Sequence, residues 1–160
     1  MLDGDLRKLL IAQIGNEFAA HALYMGISVY FDRHSLRGWG ALFKRQAIEE
    51  AQHAQKIMDF LTDNEIEFDI PAVKAVSTRF GSGKNAAERA LKSERDVAEQ
   101  FDRMAAVAAS AGDHRGFQFL QWFIEEQVEE EAKLQSIVDL IDSGINLFQA
   151  EAHLERVVRE

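Results

Sequence analysis

From Phe43 to Leu61 the chain reads FKRQAIEEAQHAQKIMDFL, and the residues met at alternating steps of four and three are Phe43, Ala47, Glu50, Ala54, Ile57 and Leu61. That is the period of one helix face. Every side chain on it is apolar except the central one, Glu50. Three further stretches repeat the arrangement: Leu10, Ile14, Glu17, His21, Tyr24, Ser28 and Phe31; Ala87, Leu91, Glu94, Ala98, Phe101, Ala105 and Ala108; Leu120, Phe123, Gln127, Glu130, Leu134, Ile137 and Ile141. None holds a lysine or arginine. An amphipathic helix buries such a stripe, so the pattern predicts a bundle with one glutamate from each helix in its interior. Burying a single ionised carboxylate costs on the order of several kcal/mol even after the protein relaxes. Four at similar depth therefore imply shared protons or a bound cation, and a metal site is the economical explanation.

At 160 residues and 47% hydrophobic content, the chain fits one domain, residues 1–160, with a sizeable core. Pro71 is the single proline, and Ala, Leu, Glu, Gln and Arg fill long uninterrupted runs, so the fold class is all-α. Zero cysteines exclude disulfides, thiolate zinc sites and a cysteine nucleophile. The 27 acidic and 18 basic residues give a net charge of −9. That balance disfavours nucleic acid and anionic membranes as partners and favours cations, although a solvated acidic face explains the charge alone equally simply. Met1 to Leu10 lacks the basic region and apolar run of a signal peptide. No run reaches the roughly 20 apolar residues of a membrane span. The expectation is a soluble cytoplasmic protein.

The first helix is expected from about Asp3 to Asp32 and the second from about Leu36 to Asn64, a short turn making them antiparallel neighbours. Between Glu65 and Lys84 the period breaks: Ile66, Phe68 and Ile70 alternate, Pro71 follows, and Gly81, Ser82 and Gly83 mark a loop. These roughly 20 residues at about 3.3 Å each can run the length of a helix of about 28 residues, or about 42 Å, and so form a lengthwise crossover. Asn85 is read as the cap of the third helix, with Glu88 three residues on, and Gly112 and Asp113 separate it from a fourth that ends near Asp142. The topology is two antiparallel hairpins joined by one long crossover, plus a short fifth C-terminal helix. That tail carries Ile145, Leu147, Phe148, Leu154 and Val157, too few for a core of its own, so it must pack on the bundle or a partner.

Measured from those bounds, Glu17, Glu50 and Glu130 fall within about a turn of their helix midpoints and Glu94 slightly further off, so all four share one central layer. His53 follows Glu50 by three residues, which brings an imidazole and a carboxylate to one point. Glutamates and Glu-x-x-His pairs projecting inward from four helices are the donor set of di-iron carboxylate bundles. Mostly oxygen with one nitrogen suits iron or manganese better than copper. The accumulated anionic charge favours Fe(III) over Fe(II), so oxidation of Fe(II) is the expected reaction. Glu50 is the expected bridge, with Glu17 and His53 on one metal and Glu94 and Glu130 on the other.

The residues resemble the non-haem bacterial and archaeal ferritins. Asn16, Glu17 and Tyr24, the run Arg45 to His53, Glu94, and the run Phe119 to Glu131 carry the resemblance, which extends over the whole chain. It implies a ferritin-like four-helix bundle and a shell of twenty-four subunits that oxidises Fe(II) with O2 or H2O2 and stores a ferric mineral. It also implies that Glu17, Glu50 and His53 hold the first iron and Glu50, Glu94 and Glu130 the second, with Gln127 nearby. A third iron site would use Glu49, Glu126, Glu129 and Glu130. Tyr24 would donate an electron or a hydrogen bond to the centre, core packing being the alternative. Bacterioferritins carry a second Glu-x-x-His on the fourth helix and a methionine after the bridging glutamate for haem. Here those positions hold Gln127 with Glu130, and Ala51, so no haem is expected. His21 stands one turn from Glu17, where a small side chain is the expectation.

Two other readings remain open at this point. One is a di-iron or dimanganese oxidase or peroxide reductase of the rubrerythrin type, which does not store iron. It is disfavoured by the missing second Glu-x-x-His and the absence of rubredoxin-like cysteines. The other is a metal-free interaction bundle in which the glutamates share protons.

Overall fold

The structure, a computed structural model, describes residues 2–157, with Val157 by its backbone alone. The stripes become the inward faces of four long helices: α1 (Gly4–Arg33), α2 (Arg37–Asp63), α3 (Gly83–Ser110) and α4 (His114–Asp142). α1 and α2 pack as one antiparallel hairpin and α3 and α4 as the other, with α1 also against α3. Between the members of the second hairpin the chain reverses at Gly112, whose φ of +67° a side chain would disfavour. Among the described residues there is no strand, and no helix is long and apolar enough to cross a membrane.

One boundary differs from the sequence reading. Ser82, extended at φ −164° and ψ 168°, caps α3 by accepting a hydrogen bond from the Asn85 N–H, so Asn85 is the capped residue and the helix starts at Gly83. Both residues are good caps. The preceding turn delivers Ser82 in the extended conformation a cap requires, and the helix is nucleated there.

The crossover, residues 64–82, runs along α1 without regular structure. Pro71 lies against Gly15 and Ser77 against Gly26, two places where α1 offers bare backbone. A Cβ on Gly26 would overlap the Ser77 carbonyl oxygen. Gly26→Ala should therefore lift this stretch off α1 at a cost of about 1–3 kcal/mol, read as a lower unfolding midpoint. A midpoint equal to the parent's would show that the contact is slack.

The tail is helical in consecutive pieces, α5 (Leu147–Ala150), a 3-10 turn (Glu151–His153) and α6 (Leu154–Val157), filling the place of the single short helix expected. Ala150 and Leu154 are buried, and the Trp39 indole N–H donates to Leu147 O at 2.9 Å. Glu151 accepts from the Gly38 and Trp39 amides at 2.7 and 3.3 Å. It thereby supplies the N-terminal carboxylate that α2 lacks in its own first turn. The expected contribution of the Val157 side chain lies outside the described residues.

The core is divided. Toward the α1–α2 turn it is built from residues such as Ile27, Phe31, Trp39, Phe43 and Ile137, and toward the other end from Leu6, Leu10, Leu61, Phe101 and Leu120. Between the halves lies a layer of buried polar side chains: Gln13, Glu17, Gln46, Glu50, His53, Glu94, Gln127 and Glu130.

Candidate metal centre

Glu17 and Glu50 are 0% exposed, Glu94 and Glu130 1%, and His53 4%. Glu50 is the middle residue of α2 and belongs to two sets of donors. Glu17, Glu50 and His53 form one, and Glu50, Glu94 and Glu130 the other, each with donor atoms within 4.8 Å of one another. Among the described residues these are the groups of acidic or histidine side chains close enough to hold a cation.

In the first set three atoms face one another. Glu17 Oε2, Glu50 Oε2 and His53 Nδ1 are buried without a hydrogen-bond partner. The ring nitrogen stands 3.3 Å from Glu50 Oε2 and 3.6 Å from Glu17 Oε2. Ligands bonded at about 2.1 Å to one ion lie about 3.0–3.4 Å apart along a polyhedron edge, so the spacing suits a shared cation. The other oxygens are fixed from behind: Gln13 donates to Glu17 Oε1 at 3.1 Å and Gln46 to Glu50 Oε1 at 3.4 Å. In the second set the oxygens are engaged. Tyr24 O–H donates to Glu94 Oε1, and the Gln127 amide donates to Glu94 Oε2 at 3.0 Å and to the Glu94 carbonyl at 3.1 Å. Gln46 also donates to Glu130 Oε2, and the Lys133 ammonium lies 3.4 Å from Glu130 Oε1.

Without a metal this layer stores protons. Burial pushes the Glu50 carboxyl up to about 7 against the opposing pull of His53, and pushes Glu94 and Glu130 up to about 8. Burial also works to lower His53, but the Glu17 and Glu50 carboxylates outweigh it and hold the imidazolium up to about 11. All four values lie above those of the unfolded chain. Each group's stabilising contribution is therefore complete below its unfolded value, about 4.5 for glutamate and 6.5 for histidine, and is lost as pH rises through the folded value. The metal-free protein should lose thermal stability between pH 6 and 9, and a bound divalent ion, which replaces the protons, should flatten that slope. A midpoint that rises over the same range in chelator-treated protein would contradict this proton inventory.

The remaining sequence candidates are placed less centrally. Glu49 and Glu126 are half-buried and Glu129 is exposed, and none of the three joins a close set of donors. Gln127 turns its nitrogen toward Glu94 and so orients a carboxylate. His21 donates from Nδ1 to the Ala47 carbonyl at 2.7 Å, tying α1 to α2 one turn from Glu50. Trp122 stands edge-on to His53 with ring centroids 5.6 Å apart and carries the Lys56 ammonium 3.6 Å over its own ring, so it covers one side of the imidazole. Sequence reasoning missed Gln13, Gln46 and Lys133. Their spacing from the central glutamate of their own helix, four residues for the glutamines and three for the lysine, was the available signal.

Two candidate donor sets that share Glu50 lie inside two hairpins linked by a lengthwise crossover, the layout on which four-helix carboxylate proteins build metal sites. The Ferritin-like domain family matches residues 7–143. The chain is 40% identical over 156 residues to Ferritin BfrB of Mycolicibacterium smegmatis, covering 97% of this chain and 86% of that one. It is 40% identical over 151 residues to Ferritin BfrB of Mycobacterium tuberculosis, covering 94% and 83%. Bacterial non-heme ferritin of Staphylococcus epidermidis is 34% identical over 142 residues, covering 88% and 85%. The chain belongs to the ferritin family, a family of iron-storage proteins, and groups with its prokaryotic non-haem members.

Proposed function

We propose that this chain is a ferroxidase subunit of an iron store. Two Fe(II) ions enter as substrate, one at Glu17, Glu50 and His53 and one at Glu50, Glu94 and Glu130. They leave as Fe(III), the two electrons passing to O2 or H2O2. The observation that carries the reading is the convergence of Glu17 Oε2, Glu50 Oε2 and His53 Nδ1, buried and unpartnered, on a single point. In the metal-free layer a proton on His53 joins these atoms, and a divalent cation can take that proton's place at the same point.

The protein's own groups perform three tasks. The carboxylates concentrate negative charge, which stabilises the ferric product more than the ferrous substrate. Gln13, Gln46, Tyr24 and Gln127 fix the carboxylate orientations, so little reorganisation accompanies the change of charge. The protons held on Glu50, Glu94, Glu130 and His53 are released as Fe(II) binds.

The product is stored as ferric mineral within a cage of twenty-four copies in the cytoplasm, without haem. Family membership supports the assembly, as do Ile48, Val128 and Phe148, which a lone chain leaves 51%, 69% and 57% exposed.

Aerobic loading with a large excess of Fe(II), followed by desalting and assay of iron and protein, tests the reading. Retention of many iron atoms per chain in a very large soluble particle is expected. Retention near two per chain would leave a di-iron enzyme that does not store iron, and no retention would remove the iron chemistry altogether.

A further inference from the structure

Among the described residues, Lys133 is a basic side chain that reaches the edge of the polar layer. It lies on α4, three residues past Glu130, and only 12% of its side chain is exposed. Its ammonium stands 3.4 Å from Glu130 Oε1 and 3.8 Å from Glu49 Oε2, bridging α4 to α2. Those two carboxylates belong to the position where the resemblance puts a third iron. The other two residues of that position do not close a site around them: Glu129 is exposed, Glu126 is half-buried, and neither joins Glu49 within a close set of donors.

We propose that Lys133 is a tethered cation occupying the place of the third iron, so that this chain binds two irons in its bundle where the three-site pattern would bind three. The inference rests on the di-iron reading above. An ammonium on a four-carbon stem is a compact point charge that can bridge both carboxyl groups, its one positive charge offsetting one negative charge without any ion from solution. Being tethered, it is present at a high effective concentration whatever the free iron level. A divalent ion approaching the same two carboxyl groups would meet a positive charge at close range, on the Glu130 side in a buried setting where such repulsion is weakly screened. Lys133 thus decides how many irons the centre accepts, while the oxidising pair remains as described.

The test is a count of metal positions by anomalous scattering from crystals soaked in Mn(II), with equilibrium dialysis of Fe(II) under anaerobic conditions as a second measurement. The parent protein should show two positions per bundle, at the Glu17, Glu50, His53 set and the Glu50, Glu94, Glu130 set. Lys133→Met, which keeps the stem and removes the charge, should add a third beside Glu49 and Glu130, and Lys133→Arg should not. A third position in the parent with Lys133 swung aside overturns the proposal, as does a Lys133→Met protein that still shows two. Should Lys133→Met fail to fold, the parent's count and dialysis of Lys133→Ala decide. An absence of metal from both principal sets would instead sink the di-iron reading, and this inference with it.

Discussion

Glu50→Ala is expected to lower the initial rate of Fe(II) oxidation by about 100-fold or more. Loss of a group that merely supports a metal ligand costs about 10–100-fold, and Glu50 is a donor to both sets at once. The same substitution should leave the metal-free bundle as stable as the parent or more so. It removes a fully buried carboxylate whose Oε2 has no hydrogen-bond partner and whose burial is the largest influence on its protonation. The two readouts together are diagnostic. Stopped-flow absorbance at the ferric band measures the first, and thermal unfolding of chelator-treated protein the second. Oxidation within a few-fold of the parent would remove Glu50 from the chemistry, and a large loss of metal-free stability would mean that it holds the fold.

Trp39→Ala should produce the largest loss of stability. The indole is fully buried, stacks on Phe31 with centroids 5.4 Å apart, and donates to Leu147 O at 2.9 Å. Phe31 stacks in turn on Phe43, and Phe43 on Tyr24, whose hydroxyl holds Glu94. Truncating a buried Trp to Ala costs about 3–5 kcal/mol. In a chain of this length that corresponds to a fall of about 10 °C in Tm. The tail should also come loose, because its carbonyl anchor to α2 disappears, and limited proteolysis near residues 144–146 would detect it. A Tm within about 2 °C of the parent would show that the cavity collapses harmlessly.

The long helices and the central layer were legible because both depend on periodicity. A glutamate in the middle of an apolar stripe, four times over, fixes depth and direction without knowledge of the neighbours. His53 followed from the three-residue step. What the sequence could not resolve depends on rotamers and on the phase between helices. Gln46 reaches across to Glu130 as well as forward along its own helix to Glu50, and Lys133 turns toward Glu49 on another helix. Neither choice is encoded in spacing alone. Ser82 and Asn85 are both good caps three residues apart, and only the backbone of the preceding turn selects between them. The seat of Glu151 on the Gly38 and Trp39 amides joins segments more than a hundred residues apart, beyond any local pattern.

The division of the core has a mechanical consequence. Each apolar half draws side chains from all four long helices, so either half alone sets how the helices face one another. The donors are therefore gripped from above and below, like a workpiece between two jaws that close on each other whether or not anything lies between them. On the proposed function, ions would arrive, change charge and depart without loosening the grip. Substitutions confined to the gap should then alter what is held there and leave the vice itself shut.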